Sequence, residues 1–257
     1  MNPPLIAKQS IGIGVQLYSV RDDCARELPA TLSALAKMGY AGVEFAGYHN
    51  RSAKELRQML DDDGLKCCGT HIGLDQLTGD ALPLTIEYNL ELGNPYLIVP
   101  WIPDERRSSH AAWLATADLF NQIAVQLAVH GLRTGYHNHH IEFEMLEGET
   151  GFDTFFGHTQ PAVIMQLDIG NAMHGGADPL ACLKRYVSAA GTIHLKEYSS
   201  QNPEALLGEG EVPWQAVFDI CEQAGKTDWY IVEQESYPVS PLESVQRCRA
   251  ALKKMGK

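Results

Sequence analysis

Carboxylates and imidazoles recur in one setting along this chain, each at or just beyond the end of a short apolar run. They are Glu44, His71, Asp168, His194 and Glu233, with the stretch Tyr136-His137-Asn138-His139-His140-Ile141-Glu142. Trp101, Lys196, Glu197 and Glu235 stand in the same setting. One such imidazole or carboxylate is ordinarily a hydrogen-bonded structural group. Several of both kinds, closing successive segments, form the donor set that a divalent cation takes. Mixed oxygen and nitrogen donors suit Mn, Mg, Co or Zn, with solvent or substrate oxygens completing the shell. One divalent metal ion is therefore the expected cofactor.

The segments that must position these residues are legible as a rhythm. Apolar runs at residues 12–18, 42–45, 66–71, 96–100, 132–137, 163–168, 192–195 and 229–233 alternate with longer stretches of helical period. The clearest helix covers 22–38, where Leu28, Leu32, Leu35 and Ala36 repeat at spacings of three and four before Gly39. A second covers 107–130. Eight βα units in 257 residues predict one α/β domain over 1–257, a single (β/α)8 TIM barrel. The open dinucleotide-binding alternative wants GxGxxG after its first strand. Here Gly12 and Gly14 precede Val15 to Tyr18 with no third glycine in place. In a closed barrel the C-terminal strand ends converge on one pocket, which brings runs five to eight together.

Composition narrows the partners. Acidic residues outnumber basic ones 32 to 20 for a net charge of -12, and the basic residues are scattered, which argues against nucleic acid and anionic membranes. Six cysteines without a CxxC pair argue against a zinc knuckle or a disulfide framework. The opening MNPPLIAKQS has no basic start followed by a long apolar stretch, and the longest apolar run, around 96–102, is too short to span a bilayer. The expected setting is cytoplasmic, with a small-molecule ligand; the composition admits a homo-oligomer.

Several motifs carry a resemblance. Asp168-Ile169-Gly170-Asn171, Ile193-His194-Leu195-Lys196-Glu197, Leu207-Gly208-Glu209-Gly210-Glu211-Val212-Pro213-Trp214 and Ile231-Val232-Glu233 resemble the second half of the xylose isomerase-like barrel family. Gly39-Tyr40-Ala41-Gly42-Val43-Glu44 and Gly69-Thr70-His71 are similar to its first half. That family includes sugar-phosphate isomerases and epimerases, inosose dehydratases and endonuclease IV-type repair enzymes. The resemblance implies a metal held by Glu, Asp, His and Glu from strands five to eight. Asp168, His194 and Glu233 match the last three. Strand five departs, reading His137-Asn138-His139, with its nearest carboxylate at Glu142. Either Glu142 reaches back to the metal or His137 replaces the carboxylate; Glu142 is the expected ligand because it preserves the charge.

The resemblance also implies a carbohydrate or polyol substrate and a reaction that begins with proton removal beside a carbonyl, through an enediolate. Glu142 and Glu233 are the expected acid–base pair, with His139 or His137 as the alternative base. Glu44, His71, Trp101, His137 and Lys196 are expected to position substrate, and Glu235 to support Glu233. The leading expectation is a metal-dependent isomerase or epimerase. The alternative is a lyase acting on inososes or 3-keto-glycosides by the same opening step. A DNA-repair nuclease is disfavoured by the net charge, and an inactive sugar-binding barrel by the intact ligand set. No glycine-rich cradle carries Lys or Arg, so an unphosphorylated substrate is expected.

Overall fold

The computed structural model describes residues 10–257, so the reading of the first nine residues as free of a targeting signal lies outside the described residues. Eight parallel strands close on themselves. They are β1 (Gly12–Gln16), β2 (Gly42–Ala46), β3 (Lys66–His71), β4 (Tyr96–Val99), β5 (Arg133–His137), β6 (Ile164–Asp168), β7 (Thr192–Leu195) and β8 (Trp229–Val232). Each pairs with its sequence neighbours, and β1 closes the ring against β8 with Val15 opposite Val232. The fold is the expected (β/α)8 barrel, every strand falling on one of the apolar runs.

Nine helices among the described residues form the outer layer: α1 (Arg21–Met38), α2 (Ala53–Asp63), α3 (Ala81–Leu92), α4 (His110–Ala128), α5 (Gly151–His158), α6 (Ile169–His174), α7 (Pro179–Tyr186), α8 (Trp214–Ala224) and α9 (Pro241–Lys254). Two differ from the sequence reading. The 22–38 helix leaves helical geometry at Glu27, just ahead of Pro29, which lacks an amide hydrogen and crowds the turn before it. The helix expected from 107 begins at His110, because Ser109 caps it by accepting from the Ala112 amide after a short turn at Asp104–Arg106. None of the helices is long and apolar enough to cross a membrane.

The barrel interior is filled from its N-terminal end by Tyr96, Ile98 and Ile164 with the Trp229 indole, a cluster separate from the main core. Gly12 and Gly42 make room for that indole: a Cβ at Gly12 would lie 2.4 Å from a ring atom, and one at Gly42 about 3.0 Å. The glycines before Val15 thus serve packing. Above this floor the interior turns polar.

Behind β5, Tyr136 joins Trp113 and Phe120 of α4 and Phe155 of α5, with ring centroids 5.0 to 6.1 Å apart. This cluster fixes Tyr136 on the helix side of its strand. Deleting a ring would leave a cavity that the rigid layer fills only in part. Phe155→Ala should therefore cost about 3–5 kcal/mol, read as a lower midpoint in denaturant unfolding; an unchanged midpoint would show that the cluster does not anchor β5.

Candidate metal centre and active site

Successive side chains on a strand point to opposite faces. Because Tyr136 lies in the helix layer, its neighbour His137 points into the barrel. Register then sets polar residues side by side: Gln16 is paired with Glu44, His137 with Gln166 and Asp168 with His194. The pairing of β2 with β3 slips between Val43 and Glu44, a bulge that turns Glu44 inward over the bare Cα of Gly69. A Cβ on Gly69 would lie 2.5 Å from a Glu44 oxygen.

The result is a compact group of donors. One ligand atom each from His137, Asp168, His194 and Glu233 lies within 4.8 Å of the others, and all four residues are buried. His194 Nδ1 is 2.5 Å from Glu233 Oε2, and His137 Nε2 is 4.0 Å from the same oxygen. Asp168 Oδ1 accepts from the Asn171 amide at 2.6 Å, while its Oδ2 is buried without any partner. An orphaned carboxylate oxygen among three other buried donors is the signature of a cation site, since desolvating such an oxygen is costly unless a charge meets it. The residues therefore fit a divalent ion. His71 adjoins the group, its ring stacked on His194 at 5.3 Å and within 4.8 Å of the His137 and His194 donors.

Below these donors sits Glu44, fully buried. Its oxygens accept from Gln16 Nε2 at 2.8 Å, Gln166 Nε2 at 2.7 Å and His194 Nε2 at 2.6 Å. Burial would raise the Glu44 and Glu233 carboxyls. The facing groups outweigh it, His71 and His194 for Glu44 and His194 with Lys196 for Glu233, and hold both well below the usual carboxylate range. His194, against the pull of burial, is pushed up to about 10 by Glu44 and Glu233. His137 goes the other way: burial, then the neighbouring His194 and His71, lower it well below an ordinary imidazole, so it is neutral. Burial pushes the Asp168 carboxyl up to about 7 in spite of Lys196.

Two expected roles change. Glu142 is not brought to the donor group. Its carboxylate accepts from the Tyr136 hydroxyl at 2.7 Å and from the His139 amide at 2.7 Å, so it is spent bracing the turn after β5 from the helix side. The strand-five donor in the group is His137, which had been expected to touch substrate. Glu44, also expected at the substrate, has no exposed surface and supports His194 instead.

The remaining expected residues sit at or near the mouth. Lys196 is bonded to Glu235 and lies close enough to Asp168 and Glu233 for their charges to raise its pKa against burial. His139 has its ring 5.1 Å from that of His137, and its Nδ1 is buried without a partner. Trp101, 55% exposed, stands beyond β4. Glu197, by contrast, leaves the site: it accepts from the Gly208 and Val212 amides and the Trp214 indole, and so folds the Leu207-to-Trp214 motif around itself.

Sequence reasoning missed Gln16, Gln166 and Asn138. The Asn138 amide bridges β5 to β6, accepting from the Asp168 amide at 2.9 Å and donating to its carbonyl at 3.2 Å. Neutral amides inside strands, or just beyond one as Asn138 is, carry no chemical signal of their own, and only strand register reveals what they hold.

A closed eight-stranded barrel with buried carboxylates and imidazoles at the C-terminal strand ends defines a class of barrel whose strand ends could hold a metal ion. Residues 32–255 match the model of the xylose isomerase-like TIM barrel family, and the chain belongs to that family. Inosose dehydratase from Geobacillus kaustophilus is 25% identical over 249 residues, covering 80% of each chain. A sugar phosphate isomerase/epimerase from Parabacteroides distasonis superposes with a TM-score of 0.82 at 23% identity, over 98% of this chain and 97% of that one. The IOLI protein, solved with a bound zinc atom, superposes at 0.74 and 13% identity, over 95% and 97%.

The exchange on β5 yields a direct test. His137→Ala should weaken Zn2+ binding by about tenfold or more, as loss of one ligand or its support does, while Glu142→Gln should retain the metal. Titration calorimetry on the two variants checks this; the reverse ranking would restore Glu142 as the ligand.

Proposed function

We propose that this chain is a divalent-metal-dependent enzyme that removes a proton beside the carbonyl of a small, unphosphorylated keto-sugar or keto-polyol. The observation that carries the reading is the orphaned Asp168 carboxylate oxygen among His137, His194 and Glu233, with the unpartnered His139 imidazole beside them. His137, Asp168, His194 and Glu233 would hold the metal. Two imidazoles among four ligands favour Zn over Mg, and the zinc of the IOLI protein supports that choice. A divalent ion held there would supply Lewis acidity toward a substrate carbonyl.

The chain's own groups supply the proton transfer. Burial lowers the His139 pKa, so its ring is neutral and free to accept a proton at neutral pH. Its amide is anchored on Glu142, which fixes the ring's approach. The Lys196 ammonium, held between Asp168, Glu233 and Glu235, offers donors for a developing oxyanion. The exposed Trp101 indole offers a flat apolar face to a sugar ring. An anionic phosphate finds no cradle after β7, because the Gly208 and Val212 amides that would bind it already donate to Glu197.

Two outcomes share this opening step. Returning the proton to the same or the adjacent carbon makes the enzyme an epimerase or isomerase, in keeping with the Parabacteroides distasonis likeness. Expelling a β-substituent makes it a lyase, and the inosose dehydratase relatives favour that second reading.

Incubating the Zn2+- or Mn2+-loaded protein with ketoses, inososes and 3-keto-glycosides in deuterated water should place deuterium beside a carbonyl. Product of unchanged composition identifies an isomerase or epimerase, and loss of water or an alcohol identifies a lyase. No exchange with any of these substrates would overturn the reading. His139→Ala should bind metal normally and lose about 10²- to 10⁴-fold in turnover, the usual worth of a positioned base; full activity would remove His139 from the mechanism.

A further inference from the structure

From the hydrogen bonds beneath the metal centre we infer that Gln166, locked in place by Glu44, is a positioning residue that decides which nitrogen His137 presents to the metal. The inference rests on the metal reading proposed above. Glu44 is the acceptor of this network: Gln16, whose Oε1 is taken by the Tyr18 amide, turns its Nε2 to Glu44 Oε2 at 2.8 Å. Gln166 must therefore turn its amide NH2 toward Glu44 Oε1, at 2.7 Å, and the same nitrogen reaches Thr192 Oγ1 at 3.0 Å. That orientation leaves Gln166 Oε1, an acceptor, facing His71 Nε2 at 2.8 Å and His137 Nδ1 at 3.1 Å.

An acceptor facing a ring nitrogen requires the hydrogen on that nitrogen. His137 therefore carries its hydrogen on Nδ1, and its Nε2 lone pair is directed to the Glu233 side, where the donor group converges. The same carboxylate fixes His194 in the opposite sense. Glu44 Oε2 accepts from His194 Nε2, so Nδ1, whose hydrogen meets Glu233 at 2.5 Å, is the nitrogen that a bound cation would engage in place of that hydrogen. One Glu–Gln pair thus presents opposite ring nitrogens of two histidines to one point. Gln16 also donates to Glu44, at 2.8 Å, without a hydrogen bond to either imidazole, and so provides a control for general loosening of the network.

The test uses untagged, 15N-histidine-labelled protein: wild type, Gln166→Leu and Gln16→Leu. Long-range proton–nitrogen correlation spectra report the hydrogen position on His137, assigned by its disappearance in His137→Gln. The wild type and Gln16→Leu should both show His137 with hydrogen on Nδ1. Gln166→Leu should move it to Nε2 and weaken Zn2+ binding, measured by calorimetry with the metal alone, by about 10- to 100-fold.

A His137 hydrogen on Nε2 in the wild type, or an unmoved hydrogen in Gln166→Leu, would overturn the inference whatever the metal does. Wild type that shows the Nδ1 hydrogen and binds neither Zn2+ nor Mn2+ would instead overturn the metal reading, and with it the purpose assigned to Gln166. A loss of the Nδ1 form in Gln16→Leu equal to that in Gln166→Leu would show that the network is merely structural.

Discussion

A carboxylate with no exposed surface, Glu44, sets the constraint from which the rest of the barrel interior follows. An uncompensated buried charge costs several kcal/mol, so every group around it must donate. Gln16, Gln166 and His194 do so from three other strands, and His71 lies 3.2 Å away on a fourth. The bulge in β2 and the bare Gly69 exist to admit this one side chain. Once the donors are fixed, the faces left over are acceptors and lone pairs. These point up toward Asp168, His137 and Glu233, where the proposed cation would complete the balance of charge.

Much of this architecture is legible in the chain alone. Short apolar runs locate all eight strands, because a barrel strand is covered on both faces. Polar residues that close such runs stand out, which is how Asp168, His194, Glu233, Lys196 and His139 are found. The helix kink at Glu27 is also visible in principle, through Pro29. What the sequence conceals is contact that depends on register. Gln166 and Asn138 look like ordinary polar residues until β5 and β6 are laid side by side.

The exchange on β5 shows the same limit with more consequence. Charge conservation favours Glu142 as the strand-five ligand, and the turn after the strand is short enough for it to reach back. Parity decides otherwise. Tyr136 belongs to the aromatic layer of Trp113, Phe120 and Phe155, so His137 must face inward, and the Tyr136 hydroxyl then captures Glu142 on the outer side. The signal was present in the alternation of the strand, and reading it required knowing which aromatic joined the helix layer. In the proposed site the substitution would trade one negative charge for a neutral nitrogen and favour metals that prefer imidazole.

The central claim is that His137, Asp168, His194 and Glu233 hold a divalent cation and that Glu142 does not. Anomalous diffraction from crystals of the zinc-loaded protein, collected at the zinc absorption edge, tests it most directly. The account predicts one strong peak bonded to His137 Nε2, His194 Nδ1, Asp168 and Glu233, with Glu142 still on Tyr136. A peak ligated by Glu142, or no peak at this group, would contradict it.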